Sequence, residues 1–127
     1  MPVIPRRPVL ALGVAMILAA GPALAHHGWS WAVEEQTELT GTVREVSMNP
    51  PHPSLMVEDA EGTVWQVDLS NPGATARSGW TAESAAPGDA VWLIGNRSKD
   101  PEQRLMKAVQ IRVRDVTYDI YPDRVRR

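Results

Sequence analysis

Five short stretches of alternating apolar and polar residues, interrupted once by a helix start, constrain this chain more than any other feature. From Glu38 onward, Leu39, Gly41 and Val43 alternate with Thr40, Thr42 and Arg44. That is the period of a strand with one buried face. Val46 and Met48 continue on the opposite parity. The switch predicts a bulge near Arg44-Glu45, which bends a strand to serve two sides of a small barrel. Asn49-Pro50-Pro51-His52-Pro53 must be a loop, because three prolines remove three backbone donors and fix φ. Leu55 and Val57 open a second strand, and Asp59-Ala60-Glu61-Gly62 is a hairpin turn. Thr63 to Leu69 is the third strand, with Trp65, Val67 and Leu69 on its buried face.

Ser70-Asn71-Pro72 is the helix start. Asn71 can cap, and Pro72 suits the first helical position, where a missing N–H costs nothing. A short helix over Gly73 to Ser78 ends at Gly79 in the left-handed region, which returns Trp80 to the core. Thr81 to Ala86 reads as a second short turn of helix. Pro87-Gly88-Asp89 turns into a fourth strand, Ala90 to Gly95, and Asn96 to Arg104 reads as a polar loop. Leu105 to Arg114 is the fifth strand, with Val109, Ile111 and Val113 inward. The tail offers a sixth short strand through Tyr118 and Ile120 before Pro122. Five strands, or six with the tail, and one helix between the third and fourth predict an all-β, OB-fold-like Greek-key barrel.

The barrel accounts for residues 38–127. The first 25 residues read as an address. Arg6 and Arg7 form a basic region, and Val9 to Ala20 is an apolar run too short for a stable membrane anchor. Gly21-Pro22 then breaks any helix, and Ala23-Leu24-Ala25 is the small-x-small pattern that signal peptidase reads. Cleavage after Ala25 would leave an N-terminal arm, 26–37, ahead of the barrel. The expected location is the periplasm, with no membrane anchor in the mature form. The Arg6-Arg7 pair also raises twin-arginine export, although its flanks match that signal poorly.

Cleavage removes two arginines and no acid, which leaves 11 basic against 15 acidic side chains and a net charge of −4. An acidic chain is poorly suited to phosphate backbones, so no nucleic-acid partner is expected. The chain has no cysteine, which excludes disulfides, thiolate metal sites and a cysteine nucleophile. No catalytic motif is present, neither G-x-S-x-G, H-E-x-x-H nor a Gly-rich phosphate loop, so no enzymatic activity is expected.

An ordered set of short motifs resembles a known family. The set is Ala25-His26-His27, Leu39 to Val46, Asn49-Pro50 with His52, Trp65 to Leu69, Gly79-Trp80-Thr81 and Pro87-Gly88-Asp89. It resembles the exported bacterial family catalogued as domain of unknown function 6152, across nearly all of the mature chain. The resemblance implies a periplasmic OB-like domain and no established activity. Gly28-Trp29 stand where the family has Ser-Phe, and Pro51 is an extra residue before His52.

Chemistry concentrates on three histidines. Cleavage makes His26 the first residue, and its α-amine and imidazole can together chelate one metal ion. His27 or His52 can supply a further imidazole. This nitrogen-rich set suits copper among the first-row metals, and an α-amine with a pKa of about 7.7–8.0 yields its proton to a metal near neutral pH. The leading expectation is a periplasmic binding module that holds copper through His26, with His27 or His52. The alternative is a metal-free module that binds a protein partner or small ligand through the barrel or the Trp29–Trp31 arm, with the histidines merely solvated. Met48, Met56 and Met106 read as core fillers rather than thioether ligands. Trp65 and Trp80 read as core or barrel-capping residues. Arg97, Lys99 and Arg104 read as a solvated loop face unless a partner's acids meet them.

Overall fold

The structure is a computed structural model that describes residues 2–5 and 28–126. The elements in chain order are β1 (Ala32–Ser47), β2 (Ser54–Glu58), β3 (Val64–Asp68), α1 (Pro72–Arg77), β4 (Ala90–Ser98), β5 (Leu105–Val113) and β6 (Val116–Asp119). A 3-10 turn at Pro122–Arg124 follows. The strands lie in the order β3-β2-β1-β4-β5-β6, and a parallel pairing of β3 with β5 closes the first five into a barrel. The other neighbours are antiparallel. This is the OB-fold barrel, with a sixth strand added outside it. Among the described residues, no helix is long and apolar enough to cross a membrane.

The long first strand makes closure possible. Residues Ala32–Thr42 pair with β4, and Thr42–Ser47 pair with β2. The change of partner is made where the sequence switches parity. A bulge lies between Val43 and Glu45, so Arg44 is the extra residue. Gly41 stands just before it, and a Cβ there would run into the backbone carbonyl of Glu58 on β2. Only glycine lets the two backbones approach so closely. β5 is shared in a similar way: along one edge it pairs first with β3 at Leu105–Lys107, then with β6 at Gln110–Val113.

The core fills the barrel from all sides. Val43, Leu55, Val57, Val67, Leu69, Leu93, Met106 and Ile111 are fully buried. Burial of one such side chain contributes about 1.5–3 kcal/mol. α1 starts as the sequence indicates: the Asn71 side chain accepts from the Ala74 N–H at 2.8 Å, and Pro72 opens the helix. Gly79 follows at φ 93°. Trp80 then returns to the core, 1% exposed and edge-on to Tyr118 at 5.0 Å.

Several expectations need correction. β1 begins at Ala32, not Glu38, so half of the supposed arm is strand. Its pairing with β4 shifts register between Ala32 and Gln36. Asn96 closes that gap by donating to the carbonyls of Val33 at 2.9 Å and Glu34 at 3.1 Å. Asn96 is therefore buried strand and not polar loop, and β4 runs on to Ser98. Thr81–Ala86 is a turn tied by Ser84 N–H to Thr81 carbonyl at 3.1 Å, without helix. Met48 is exposed and Met56 half-buried, so only Met106 fills the core.

Replacing Gly41 by alanine forces β1 and β2 apart and is expected to cost about 1–3 kcal/mol, the range for overpacking. In a domain of this size that lowers the melting temperature by roughly 4–8 °C per kcal/mol. Thermal unfolding followed by circular dichroism reads it. An unchanged midpoint would contradict the close approach.

Candidate functional site

A cavity of about 320 Å³ opens between β5, the proline loop, the turn after β3, the segment just before β1 and the segment after β6. Its walls include Trp29, His52, Ser70, Asn71, Lys107 and Tyr121. Lys107 is its centre. It lies on β5 opposite Asn96 and Asp68, and it is only 3% exposed. Met106 and Ala108 on either side point into the core, so Lys107 points outward. The segment before β1 covers it.

That cover is specific. The Lys107 ammonium donates to the Gly28 carbonyl at 3.0 Å. It sits 4.5 Å from the ring centre of Trp29 and 5.7 Å from those of Trp31 and Tyr121. Ring faces attract a cation through their quadrupole, and more strongly where water is excluded. Trp29 is held in turn: Tyr121 meets it edge-on at 4.7 Å, and the Arg124 guanidinium lies 3.7 Å over its ring. The Lys99 N–H donates to the Trp31 carbonyl at 2.8 Å. Residues 28–31 are thus docked on the barrel.

Burial shapes the ionisation here. Desolvation pulls the Lys107 amine below the ordinary lysine value; nearby Asp68 acts in the opposite sense and Arg124 in the same sense. Burial likewise raises the Tyr121 phenol, partly offset by its hydrogen bond with Ser70. His52 is half-buried at the cavity wall, with its Nδ1 shielded from solvent.

The expected metal donors divide accordingly. His52 is in this cavity. His26 and His27 lie outside the described residues, but His27 is bonded directly to Gly28, which Lys107 holds at the cavity. Among the described residues, no group of three histidines or carboxylates could hold a metal ion. Sequence reasoning missed Lys107, Ser70 and Tyr121 as site residues. In sequence Lys107 shares the parity of Val109, Ile111 and Val113, but the pairing with β4 shifts at Val109, so Met106 and Ala108 face the core with Ile111 and Val113 and Lys107 faces outward. A lysine buried there needs a partner.

A family model described as a family of unknown function (DUF6152) matches residues 14–107. Nothing among the curated proteins matches the chain. Among solved structures, a chain of the S. pombe Stn1-ten1 complex is similar, with a TM-score of 0.50 and 18% identity. The match covers 61% of this chain and 57% of that one, so it spans little more than half of the neighbour's length. At that identity it speaks for the fold alone.

The Lys107 amine yields a pH test. Between its lowered folded value and the unfolded value, the unfolded state binds more protons, so stability rises with pH across that window. Below the folded value both states are protonated and the slope vanishes. Lys107→Met keeps the stem and removes the charge. The melting temperature of the natural protein minus that of the variant is expected to grow as pH rises toward the ordinary lysine value of 10.5. A constant difference would contradict a desolvated amine.

Proposed function

The chain belongs to the family of unknown function DUF6152, and on that footing we propose that it is a periplasmic OB-fold binding module for copper. The ion is held by the α-amine and imidazole of His26, exposed by signal cleavage, together with His27 and His52. The role is that of a carrier or buffer rather than a catalyst. One observation supports this most: the Lys107 ammonium holds the Gly28 carbonyl at the cavity that His52 lines. From Gly28, connectivity alone brings His27 and His26 within about 4 and 8 Å along the backbone. Gly28 anchored on Lys107, with His52 on the wall of the same cavity, is what a chelate from His26 to the proline loop requires.

The donor chemistry agrees. An amine and imidazoles are nitrogen ligands of the kind copper prefers. Each must be unprotonated to bind, so affinity rises with pH through the neutral range. The positive Lys107 opposes a cation nearby. Lys107 here positions the chain and does not ligate.

The test is Cu(II) titration of the mature protein beginning at His26, followed by EPR, beside a version with one additional N-terminal alanine. The expected result is nitrogen hyperfine coupling with affinity tighter than about 1 μM, weakened at least about tenfold by the added alanine. His52→Ala is expected to weaken it as well. Weak binding, equal in all three, would overturn the proposal in favour of a metal-free interaction module.

A further inference from the structure

We propose a second site, for an anionic ligand carrying phosphate or carboxylate groups, at the barrel end formed by β3 and the loop between β4 and β5. Its floor is Trp65 on β3. The indole is 5% exposed and fixed in place: its Nε1 donates to the Asp59 carboxylate at 3.0 Å. That carboxylate also takes the N–H groups of Glu61 at 3.0 Å and Thr63 at 2.9 Å. Two guanidinium groups lie on the ring, Arg97 at 4.6 Å and Arg104 at 5.6 Å from its centre. A guanidinium stacked on an immobile ring has lost much of its rotamer freedom before any ligand arrives, so less is lost on binding.

The cations are uncommitted. The ion pairs among the described residues are Arg44–Glu58 and Arg114–Asp89. Arg97 and Lys99 donate no side-chain hydrogen bond to any described residue, and Arg104 gives one, to the Pro101 carbonyl at 3.0 Å. This holds although Asp100 and Glu102 stand in the same loop. Asp100 instead accepts the Glu102 N–H at 3.0 Å. Ser98 stiffens the loop, donating to Gln103 at 2.9 Å and accepting the Asp100 N–H at 3.1 Å. A chain with more acidic than basic side chains thus leaves three cations around one cavity with no ion pair to any of them among the described residues.

A cavity of about 330 Å³ lies between these groups. Thr37 on β1 also lines it, and its hydroxyl is shielded without a hydrogen-bond partner among the described residues. Glu35 is the single acid on its wall. Two planar forks, an ammonium and an unused hydroxyl match an oxyanion with several acceptor oxygens. Arginine binds such groups through paired N–H donors. The loop between β4 and β5 that supplies Lys99 and Arg104 is one of the loops through which OB barrels contact ligands. No metal is needed, so this site stands apart from the copper reading.

The probes are pyrophosphate and citrate, titrated calorimetrically into the mature protein after metal removal on a chelating resin, in a buffer without other polyanions. The variants are Arg97→Gln with Arg104→Gln, both on exposed side chains, and Arg44→Gln as a control elsewhere on the surface. Binding tighter than about 1 mM at low salt is expected with at least one anion. The double variant is expected to weaken it at least about tenfold, and Arg44→Gln to leave it unchanged, with all proteins melting cooperatively. Preference for pyrophosphate would assign phosphate as the natural group, and preference for citrate would assign carboxylates. Absence of binding with both anions, or equal binding in natural and double-variant protein, would overturn the proposal.

Discussion

Everything in this barrel depends on one strand changing partners. β1 gives its first ten or so residues to β4 and its last few to β2. The exchange occurs at Gly41–Glu45, where a missing Cβ admits the β2 backbone and one extra residue bends the strand. A straight strand would pair with one neighbour along its whole length and leave an open sheet. The bent one carries β2 and β3 around until β3 meets β5. Only then are Val67, Met106 and Leu55 enclosed together.

Closure also creates both candidate sites. β3 reaches only the first three residues of its pairing on β5, and β6 takes the edge further on. Lys107 stands at the end of the β3 pairing, on the outer face, where neither sheet nor helix covers it. The segment before β1 and the tail after β6 fill that position with Trp29, Trp31 and Tyr121. A buried ammonium is costly unless it is bonded, and the Gly28 carbonyl answers that need. The same requirement fixes where Gly28 and the segment just before β1 lie. At the neighbouring end, Trp65 closes the barrel and presents its ring to Arg97 and Arg104.

The fold was legible in sequence because its signals are local. Parity in Thr63–Leu69, the parity switch at Arg44, and the Asn71-Pro72 cap each follow from adjacent residues. What escaped depends on residues far apart in the chain. Ala32–Thr37 has no clean alternation, since Asn96, about sixty residues away, supplies the bonds that accommodate its irregular pairing. Asn96 itself looks like a loop residue until those carbonyls are in view. Lys107 looks like an exposed strand lysine until Trp29 lies over it. His52 was legible as a candidate donor, and the reach of an extended arm allowed the residues before Gly28 to come near its loop. Hidden from local sequence was the anchor, the Lys107 ammonium that holds the Gly28 carbonyl beside the cavity that His52 lines.

The central claim is that the start of the mature chain and His52 form one metal site. Paramagnetic line broadening tests it most directly. Substoichiometric Cu(II) is added to isotope-labelled protein beginning at His26, and amide signals are followed by NMR. The account predicts early loss of Gly28, Trp29, His52, Asn71 and Lys107, with Gly62 and Gly88 in the distant turns preserved. Broadening confined to Gly28 and Trp29, with His52 and Lys107 intact, would contradict it.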